Sequence, residues 1–160
     1  MNFKLFTILL LALLIMSLSA NKNAKAKAIA VSTDSLIVAK QYTNAFNILI
    51  ISDWGWNGKL AQKNVAKCMA HTAENIKMQF VVSCGDNFQW NGVQSVNDTL
   101  WQDNFENIYN QPTLMVNWYP VLGNHDYIGN TKAQIDYSTK SNRWKLLNQY
   151  YKISLSYKNS

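Results

Sequence analysis

The chain has 160 residues, 48% of them hydrophobic and 15% charged, which is typical of one globular domain and argues against a chain that is disordered as a whole. The formal net charge is +6, but four of the fifteen basic side chains lie within the first 30 residues. The other eleven basic and the nine acidic side chains are scattered, so the sequence lacks the clustered basic face of a nucleic-acid-binding protein.

Residues 1–20 have the pattern of a secretory signal peptide. Lys4 precedes a largely apolar run over residues 5–18, and small residues follow it. Since that run is shorter than the roughly 20 residues that span a bilayer, we predict export, secreted or periplasmic, without stable membrane anchoring; an uncleaved anchor is the alternative. Residues 21–45 are predicted to be a spacer and lead-in, and residues 46–160 the folded domain.

Two apolar runs on either side of a helical pattern follow. Residues 46–52 and 80–84 are short and continuously apolar, as in strands buried on both faces. Between them, apolar or small residues recur at helical spacing, which predicts a helix over residues 59–78. Its predicted buried stripe comprises Ala61, Val65, Cys68, Thr72 and Ile76.

A second helix and a third strand are predicted next. Residues 95–98 (SVND) have the form of a capping box, and Trp101, Phe105, Ile108 and Tyr109 form the apolar stripe of the helix that should follow. Residues 118–122 read as a third buried strand. The order βαβαβ implies an α/β fold with a parallel sheet and right-handed crossovers.

The end of the chain changes pattern. A capping box at residues 131–134 predicts a short helix that ends near Gln149, and strict alternation over residues 151–157 predicts a strand with one solvated face. Because such a strand normally pairs with a neighbour, we expect the sequence to end inside a domain. Cys68 and Cys84 are both predicted to be core residues, with a disulfide between them as the alternative.

Residues with ligand chemistry follow each of the three predicted strands. Asp53 follows the first strand, Asp86 the second, and Asn124 and His125 the third. Ligands bind outside the carboxyl ends of the strands in open α/β sheets, so these side chains should converge. An isolated aspartate after a strand is more often a turn former. Three such sites in order favour a metal centre built from carboxylate, amide and imidazole groups.

The segments D-W-G, G-D-N-F and G-N-H-D, in this order, resemble the calcineurin-like metallophosphoesterases. The longer segments GDNFQWNGVQSVND and WYPVLGNHDYIGNTKAQIDYSTKSNRW resemble the purple, tartrate-resistant acid phosphatases. The similarity extends from Phe46 to about Leu155. It implies the βαβαβ half of a two-sheet α/β/β/α sandwich, with the C-terminal half missing.

The resemblance also implies a role for each residue. Asp53 would bind a first metal ion, Asp86 would bridge two ions, Asn124 would bind the second, and His125 would be the catalytic residue beside the substrate phosphate. The ions would be iron with zinc, manganese or a second iron, and a hydroxide held by them would attack the ester in line. Asp126 would orient His125 or its loop. The expected substrate is a small phosphate ester or a phosphoprotein.

Two departures from the family pattern affect the expected activity. Gln89 stands where the purple enzymes have a metal-binding tyrosine, which argues against a ferric-tyrosinate centre. The family completes its site with histidines of the second half, whereas the other histidine here, His71, is expected at the surface of a helix. We therefore expect an incomplete, inactive site. The alternatives are a non-catalytic exported binding module of the same fold, or a phosphodiesterase or nucleotidase of the superfamily.

Overall fold

A computed structural model describes residues 17–19, 27–31, 37–41 and 45–155, with side chains from Phe46 onward except that of Leu60. Of the predicted signal peptide only residues 17–19 are described, and of the predicted spacer only residues 27–31, 37–41 and 45. The other residues of both segments lie outside the described part of the chain. The strands are β1 Ser17–Ser19, β2 Lys27–Val31, β3 Ile37–Gln41, β4 Ala45–Ile51, β5 Phe80–Cys84 and β6 Asn117–Val121. The helices are α1 Leu60–Ile76, α2 Asn124–Ile128 and α3 Thr131–Asp136, with a π-helix at Trp101–Glu106 and 3-10 turns at Pro112–Leu114 and Tyr137–Thr139. None of the described helices has the length and apolarity needed to cross a membrane.

The predicted parallel sheet is confirmed. Strands β4, β5 and β6 are parallel neighbours in that order, and Ile50, Val82 and Tyr119 are aligned across them. The short strand β1 pairs antiparallel with β4, and β2 and β3 form a separate antiparallel pair. Since β4, β5 and β6 point the same way, their carboxyl ends meet at one edge of the sheet.

The buried face of α1 differs from the predicted stripe. Val65, Thr72 and Ile76 are at least half-buried, as predicted, but Ala61 and Cys68 are exposed. The buried residues are instead Gln62, Ala66, Met69, Thr72, Ala73 and Ile76. The small alanines allow the helix to approach the core closely. The buried Gln62 amide accepts from the Gly58 N–H and donates to the Asn104 carbonyl, so its burial leaves no amide group unpaired.

Both cysteines are free and exposed, so the prediction that Cys68 and Cys84 are core residues is wrong, and they form no disulfide. Cys68 is exposed because α1 packs on the core through the face that carries Ala66, Met69 and Ala73, and not through the predicted stripe. Cys84 is the last residue of β5, where the strand emerges from the sheet.

The predicted second helix is a single π-helical turn. Its apolar stripe is confirmed, since Trp101, Phe105, Ile108 and Tyr109 are all buried. The capping pattern is different: the Asp98 carboxylate, three residues before the turn begins, accepts from the N–H groups of Gln94 and Leu100.

The predictions for the end of the chain are partly wrong. Asn130, and not Thr131, caps α3 by accepting from the Ala133 N–H, and no helix continues to Gln149. Residues 151–155 form no strand, and residues 156–157 lie outside the described residues. The chain pairs with β6 earlier, where the Trp118 N–H donates to the Arg143 carbonyl and the Lys145 N–H to the Trp118 carbonyl.

Candidate metal centre

The three loops that carry the predicted site residues meet at the carboxyl edge of the sheet. The Asp53 N–H donates to the Gly85 carbonyl at 3.1 Å, which joins the loops after β4 and β5. The His125 N–H donates to the Asp86 carboxylate at 3.1 Å, which joins the loops after β5 and β6. The Asp53 and Asn124 side chains are exposed, and those of Asp86 and His125 are half-buried.

Unusual backbone geometry marks the first two loops. Asp53 and Asp86 have φ angles of 56° and 48°, and Asn57 and Trp90 have φ angles of 56° and 69°. Residues other than glycine rarely adopt this left-handed region of backbone conformation, and each residue that does so lowers the stability of the fold by on the order of 1 kcal/mol or more. The surrounding contacts must therefore hold both carboxylates in place.

Trp54 supplies one of these contacts from the core. Its indole lies within 6.3 Å, centroid to centroid, of five aromatic rings: Phe88, Phe105, Tyr109, Trp118 and Trp144. Its Nε1–H donates to the Ser83 hydroxyl at 2.7 Å. Because Trp54 directly follows Asp53, this packing fixes the turn that presents the Asp53 carboxylate.

Glycines allow the second and third loops to approach each other. A Cβ on Gly85 would lie 2.9 Å from the Gly123 Cα, and a Cβ on Gly123 would lie 2.2 Å from both the backbone nitrogen and Oδ1 of Asp86. Real Cβ atoms do not approach heavy atoms this closely. Glycine at both positions is therefore a condition for placing Asp86 beside Asn124 and His125.

Asp126 is fully buried and ties the loops together. Its carboxylate accepts hydrogen bonds from the backbone N–H groups of Asn87, Phe88 and Gly123 and from the side-chain amides of Asn87 and Gln134. Burial raises the pKa of Asp126 above its ordinary value, and the donated hydrogen bonds act in the opposite direction. These contacts orient the loop that carries His125, in line with the supporting role expected of Asp126.

Asn87 was not among the residues that the sequence predicted to belong to the site. It is fully buried, accepts from the Ser83 hydroxyl at 2.5 Å, and donates to the Val121 carbonyl at 2.8 Å and to Asp126 at 3.1 Å. A hydrogen-bond chain thus runs from Trp54 through Ser83 and Asn87 to Asp126. The polar Ser83 inside an otherwise apolar strand is the sequence signal that could have indicated it.

The orientation of the His125 ring follows from one contact. Its Nδ1 lies 3.0 Å from the Trp90 carbonyl, and because a carbonyl only accepts, Nδ1 carries the proton of the neutral ring. Nε2 is then the nitrogen left for another partner. His71, by contrast, is exposed on α1 beside Asn75, as predicted.

The side chains of Asp53, Asp86 and Asn124 could supply some of the ligands that a cation needs. Within the described residues, neither Asp53 nor Asp86 forms an ion pair with a lysine or arginine, so neither carboxylate has a basic counter-ion there. Carboxylate and amide oxygens suit hard and first-row divalent ions. Over the same part of the chain, no three His, Cys, Asp or Glu side chains are grouped to hold a metal ion, so Asn124 would have to complete the set.

A cavity of about 600 Å³ lies at the opposite end of the strands, where Gln79 precedes β5 and Asn117 begins β6. Its charged lining includes the Glu106–Arg143 ion pair. Because the cavity lies at the edge of the sheet opposite the candidate residues, it is not part of the candidate centre. The charges of Glu106 and Arg143 offset each other.

Comparisons with known proteins agree with the resemblance predicted above. The family model described as calcineurin-like phosphoesterase matches residues 46–159. The chain is 43% identical over 106 residues to purple acid phosphatase 3 of Arabidopsis thaliana, covering 65% of this chain and 29% of that protein. It is 36% identical over 118 residues to tartrate-resistant acid phosphatase type 5 of Homo sapiens, covering 69% and 36%. A solved structure described as GAP50, the anchor in the inner membrane complex of Plasmodium, aligns with a TM-score of 0.59 and 28% identity over 66% of this chain and 35% of that chain. The chain thus spans about a third of the length of these relatives.

Proposed function

Because this chain belongs to the calcineurin-like phosphoesterase family, we propose that its strand-end residues are part of a two-metal phosphomonoesterase site of the acid-phosphatase kind. The observation that carries the proposal is the junction of three loops, where the Asp53 N–H bonds to Gly85 and the His125 N–H bonds to Asp86. It joins the three loops that carry Asp53, Asp86, Asn124 and His125, and within the described residues neither carboxylate has a lysine or arginine partner. A cation is the partner that this chemistry favours.

Asp53, Asp86 and Asn124 are the proposed metal ligands, with Asp86 shared between two ions. The proposed ions are iron with zinc, manganese or a second iron. Such ions supply an activated water and offset the charge of the phosphoryl group. His125 is the proposed catalytic residue: the Trp90 carbonyl accepts from its Nδ1–H, so in the doubly protonated ring the Nε2–H can donate a hydrogen bond to a phosphoryl oxygen or give its proton to the leaving alkoxide.

Gln89 supports a centre without the purple colour. Its side chain is buried, and a neutral amide does not replace an anionic phenolate as a ligand of ferric iron. We expect the iron-loaded chain to show no tyrosinate charge-transfer band in its visible absorption spectrum. The appearance of such a band would contradict this assignment.

The donors in the described residues are few for two ions, each of which takes four to six ligands. We therefore propose that the 160-residue chain binds metal but is inactive by itself. The proposed substrate is a small phosphate ester or a phosphoprotein, and no nucleic acid partner is proposed. Export without stable membrane anchoring remains the proposed location, on the basis of the apolar run at residues 5–18.

Calorimetric titration with Zn²⁺ and Mn²⁺ tests the metal site. We expect Asp86→Asn to weaken binding by about tenfold or more, since it removes the charge that two ions would share. Glu74→Gln is the matched control, because Glu74 is an exposed carboxylate near the end of α1, which leads to the start of β5 at the opposite edge of the sheet. Equal binding by the wild type and Asp86→Asn would refute the assignment.

Two alternatives keep some support. The replacement at Gln89 and the likeness to a structure described as an anchor favour a non-catalytic exported binding module. Metal binding without turnover of any ester when added imidazole supplies further donor ligands would favour it, whereas turnover that depends on imidazole would favour the phosphomonoesterase. A phosphodiesterase or nucleotidase is the other alternative, and faster turnover of bis(4-nitrophenyl) phosphate than of 4-nitrophenyl phosphate in the same imidazole-supplemented assay would favour a diesterase.

A further inference from the structure

Helix α1 carries a thiol and an imidazole on its solvent face, and the candidate centre uses neither. Cys68 is a free cysteine, His71 follows it by three residues, and both side chains are exposed. Residues three apart on a helix are neighbours, with Cβ atoms about 5–6 Å apart. Two side chains that bind metal ions in proteins therefore lie side by side at the surface, where nothing in the core requires them.

The contacts of Asn75 show which nitrogen of the His71 ring has a lone pair to offer. Asn75 Nδ2 donates to the His71 carbonyl at 3.0 Å and lies 3.2 Å from His71 Nε2. Because an amide nitrogen only donates, Nε2 accepts, and the proton of the neutral ring is on Nδ1. An ion that binds Nε2 replaces only this second, longer contact, and Asn75 keeps its bond to the carbonyl.

The direction of helical side chains brings the imidazole toward the thiol. A long side chain on an α-helix leans toward the N-terminus, over the residues three and four positions earlier, so His71 leans toward Cys68. Exposed side chains also change rotamer within picoseconds to nanoseconds. Sγ of Cys68 and Nε2 of His71 can therefore contact one ion together without any movement of the backbone.

The chemistry of this pair differs from that of the candidate centre. Carboxylate and amide oxygens suit hard and first-row divalent ions, whereas thiolate is a soft ligand that selects Cu⁺ or Zn²⁺, and imidazole also suits copper. A closed Zn²⁺ site takes four ligands. Over the described residues, no third His, Cys, Asp or Glu side chain is grouped with this pair. A soft monovalent ion, which two ligands can hold in a line, fits the pair better.

We propose that Cys68 and His71 form a binding site for Cu⁺, with Sγ of Cys68 and Nε2 of His71 as its two protein ligands. Binding forms one copper–sulfur and one copper–nitrogen bond and releases the thiol proton to solvent. The ion enters and stays as Cu⁺, so no electron is transferred. The site shares no residue with the proposed phosphomonoesterase centre, and the two proposals stand independently.

Anaerobic titration of the full chain with Cu⁺, in competition with the chromophoric chelator bicinchoninate, tests this site. Loss of even a supporting residue typically weakens a metal site 10- to 100-fold. We therefore expect His71→Asn and Cys68→Ser each to weaken the tightest Cu⁺ site by about tenfold or more. Nitrogen-15 nuclear magnetic resonance should show a shift of the His71 Nε2 signal on addition of Cu⁺, and no shift of the His125 ring signals.

Cys84→Ser is the matched control, because Cys84 is also an exposed free thiol but has no histidine within four residues of it in the sequence. It should leave the tightest affinity unchanged. Equal affinities of the wild type and His71→Asn would overturn the site, since the thiol alone would then hold the ion. Failure of the wild type to compete with bicinchoninate would overturn it as well.

Asp86→Asn distinguishes this site from the candidate centre. It should leave the Cu⁺ affinity unchanged, and a loss in this variant would place the ion at the strand ends and contradict the assignment to α1. Because the Cys68 and His71 side chains are exposed, their variants should unfold at the wild-type temperature in the absence of metal. A lower affinity therefore reports the loss of a ligand and not a damaged fold.

Discussion

Arg143 and Glu106 form an ion pair, with Arg143 Nη2 2.9 Å from Glu106 Oε2, although the Arg143 side chain is only 4% exposed. The same guanidinium donates to the carbonyls of Phe105, Glu106, Tyr109 and Leu114 and lies over the Phe105 ring at 4.1 Å. One buried side chain thus satisfies the carbonyl groups at the end of the π-helix and connects that helix to the segment that pairs with β6.

Replacement of Arg143 by alanine should lower the free energy of unfolding by about 3–5 kcal/mol, because Glu106 and several buried carbonyls would lose their donor. The matched control is Lys132→Ala. Lys132 pairs with Asp136 on the surface, with side chains 78% and 45% exposed, and such pairs contribute only about 0.3–0.5 kcal/mol. Urea unfolding of both variants measures the difference, and similar losses would contradict a structural role for Arg143.

Replacement of Gly123 by alanine should disturb the candidate centre directly, since the added Cβ would lie 2.2 Å from Asp86 Oδ1. Relief of that clash requires the loops after β5 and β6 to separate, at about 1–3 kcal/mol or more. We expect a lower melting temperature and weaker Zn²⁺ binding. The control Lys67→Ala, on the exposed face of α1, should change neither. Unchanged Zn²⁺ affinity in Gly123→Ala would show that the loop contact does not position Asp86.

Asp126→Asn should destabilise the same loops without changing the size of the side chain. An amide nitrogen would face at least one of the five donors that now bond to the carboxylate, and a buried donor without a partner costs about 1–3 kcal/mol. Thermal unfolding measures the loss. Hydrogen exchange should also show faster exchange of the Phe88 and Gly123 amides, with the α1 amides as the internal control. Unchanged exchange at both positions would contradict the positioning role.

Tyr151 makes stability depend on pH in alkali. Burial raises the pKa of Tyr151 from 10.0 to about 12, and its hydroxyl donates to the Pro120 carbonyl at 2.6 Å. The folded chain therefore keeps a proton that the unfolded chain loses, so the free energy of unfolding should fall as pH rises from 10 to about 12. Burial also raises the pKa of Tyr109 and of Tyr137, which adds to this decline.

Tyr151→Phe tests the assignment. At neutral pH the variant should be about 1 kcal/mol less stable, because one hydrogen bond is lost. Its stability should decline less steeply between pH 10 and 12 than that of the wild type. A decline of the same slope in both proteins would show that Tyr151 does not contribute.

The local pattern of apolar residues in the sequence was sufficient to predict the three parallel strands of the sheet. The apolar runs at residues 46–52, 80–84 and 118–122 became strands β4, β5 and β6, as short apolar runs bounded by turn residues predict. The expectation that these strands are buried on both faces is wrong, because Ile48, Ile50 and Val82 on one face are only half-buried. The buried face of α1 could not be assigned as reliably. Ala66 and Ala73 are as compatible with a buried stripe as Ala61 and Cys68, and only contacts with the core distinguish the two.

The sequence by itself determined the βαβ order and placed Asp53, Asp86, Asn124 and His125 at strand ends, since both follow from residues adjacent in the chain. Tertiary structure alone decided the path after Thr139 and the hydrogen bonds that hold the loops. The bond between the Asn87 N–H and Asp126 joins residues 39 apart in sequence, and no local pattern encodes such a pairing. Its geometry exists only once the parallel strands bring both loops to one edge of the sheet.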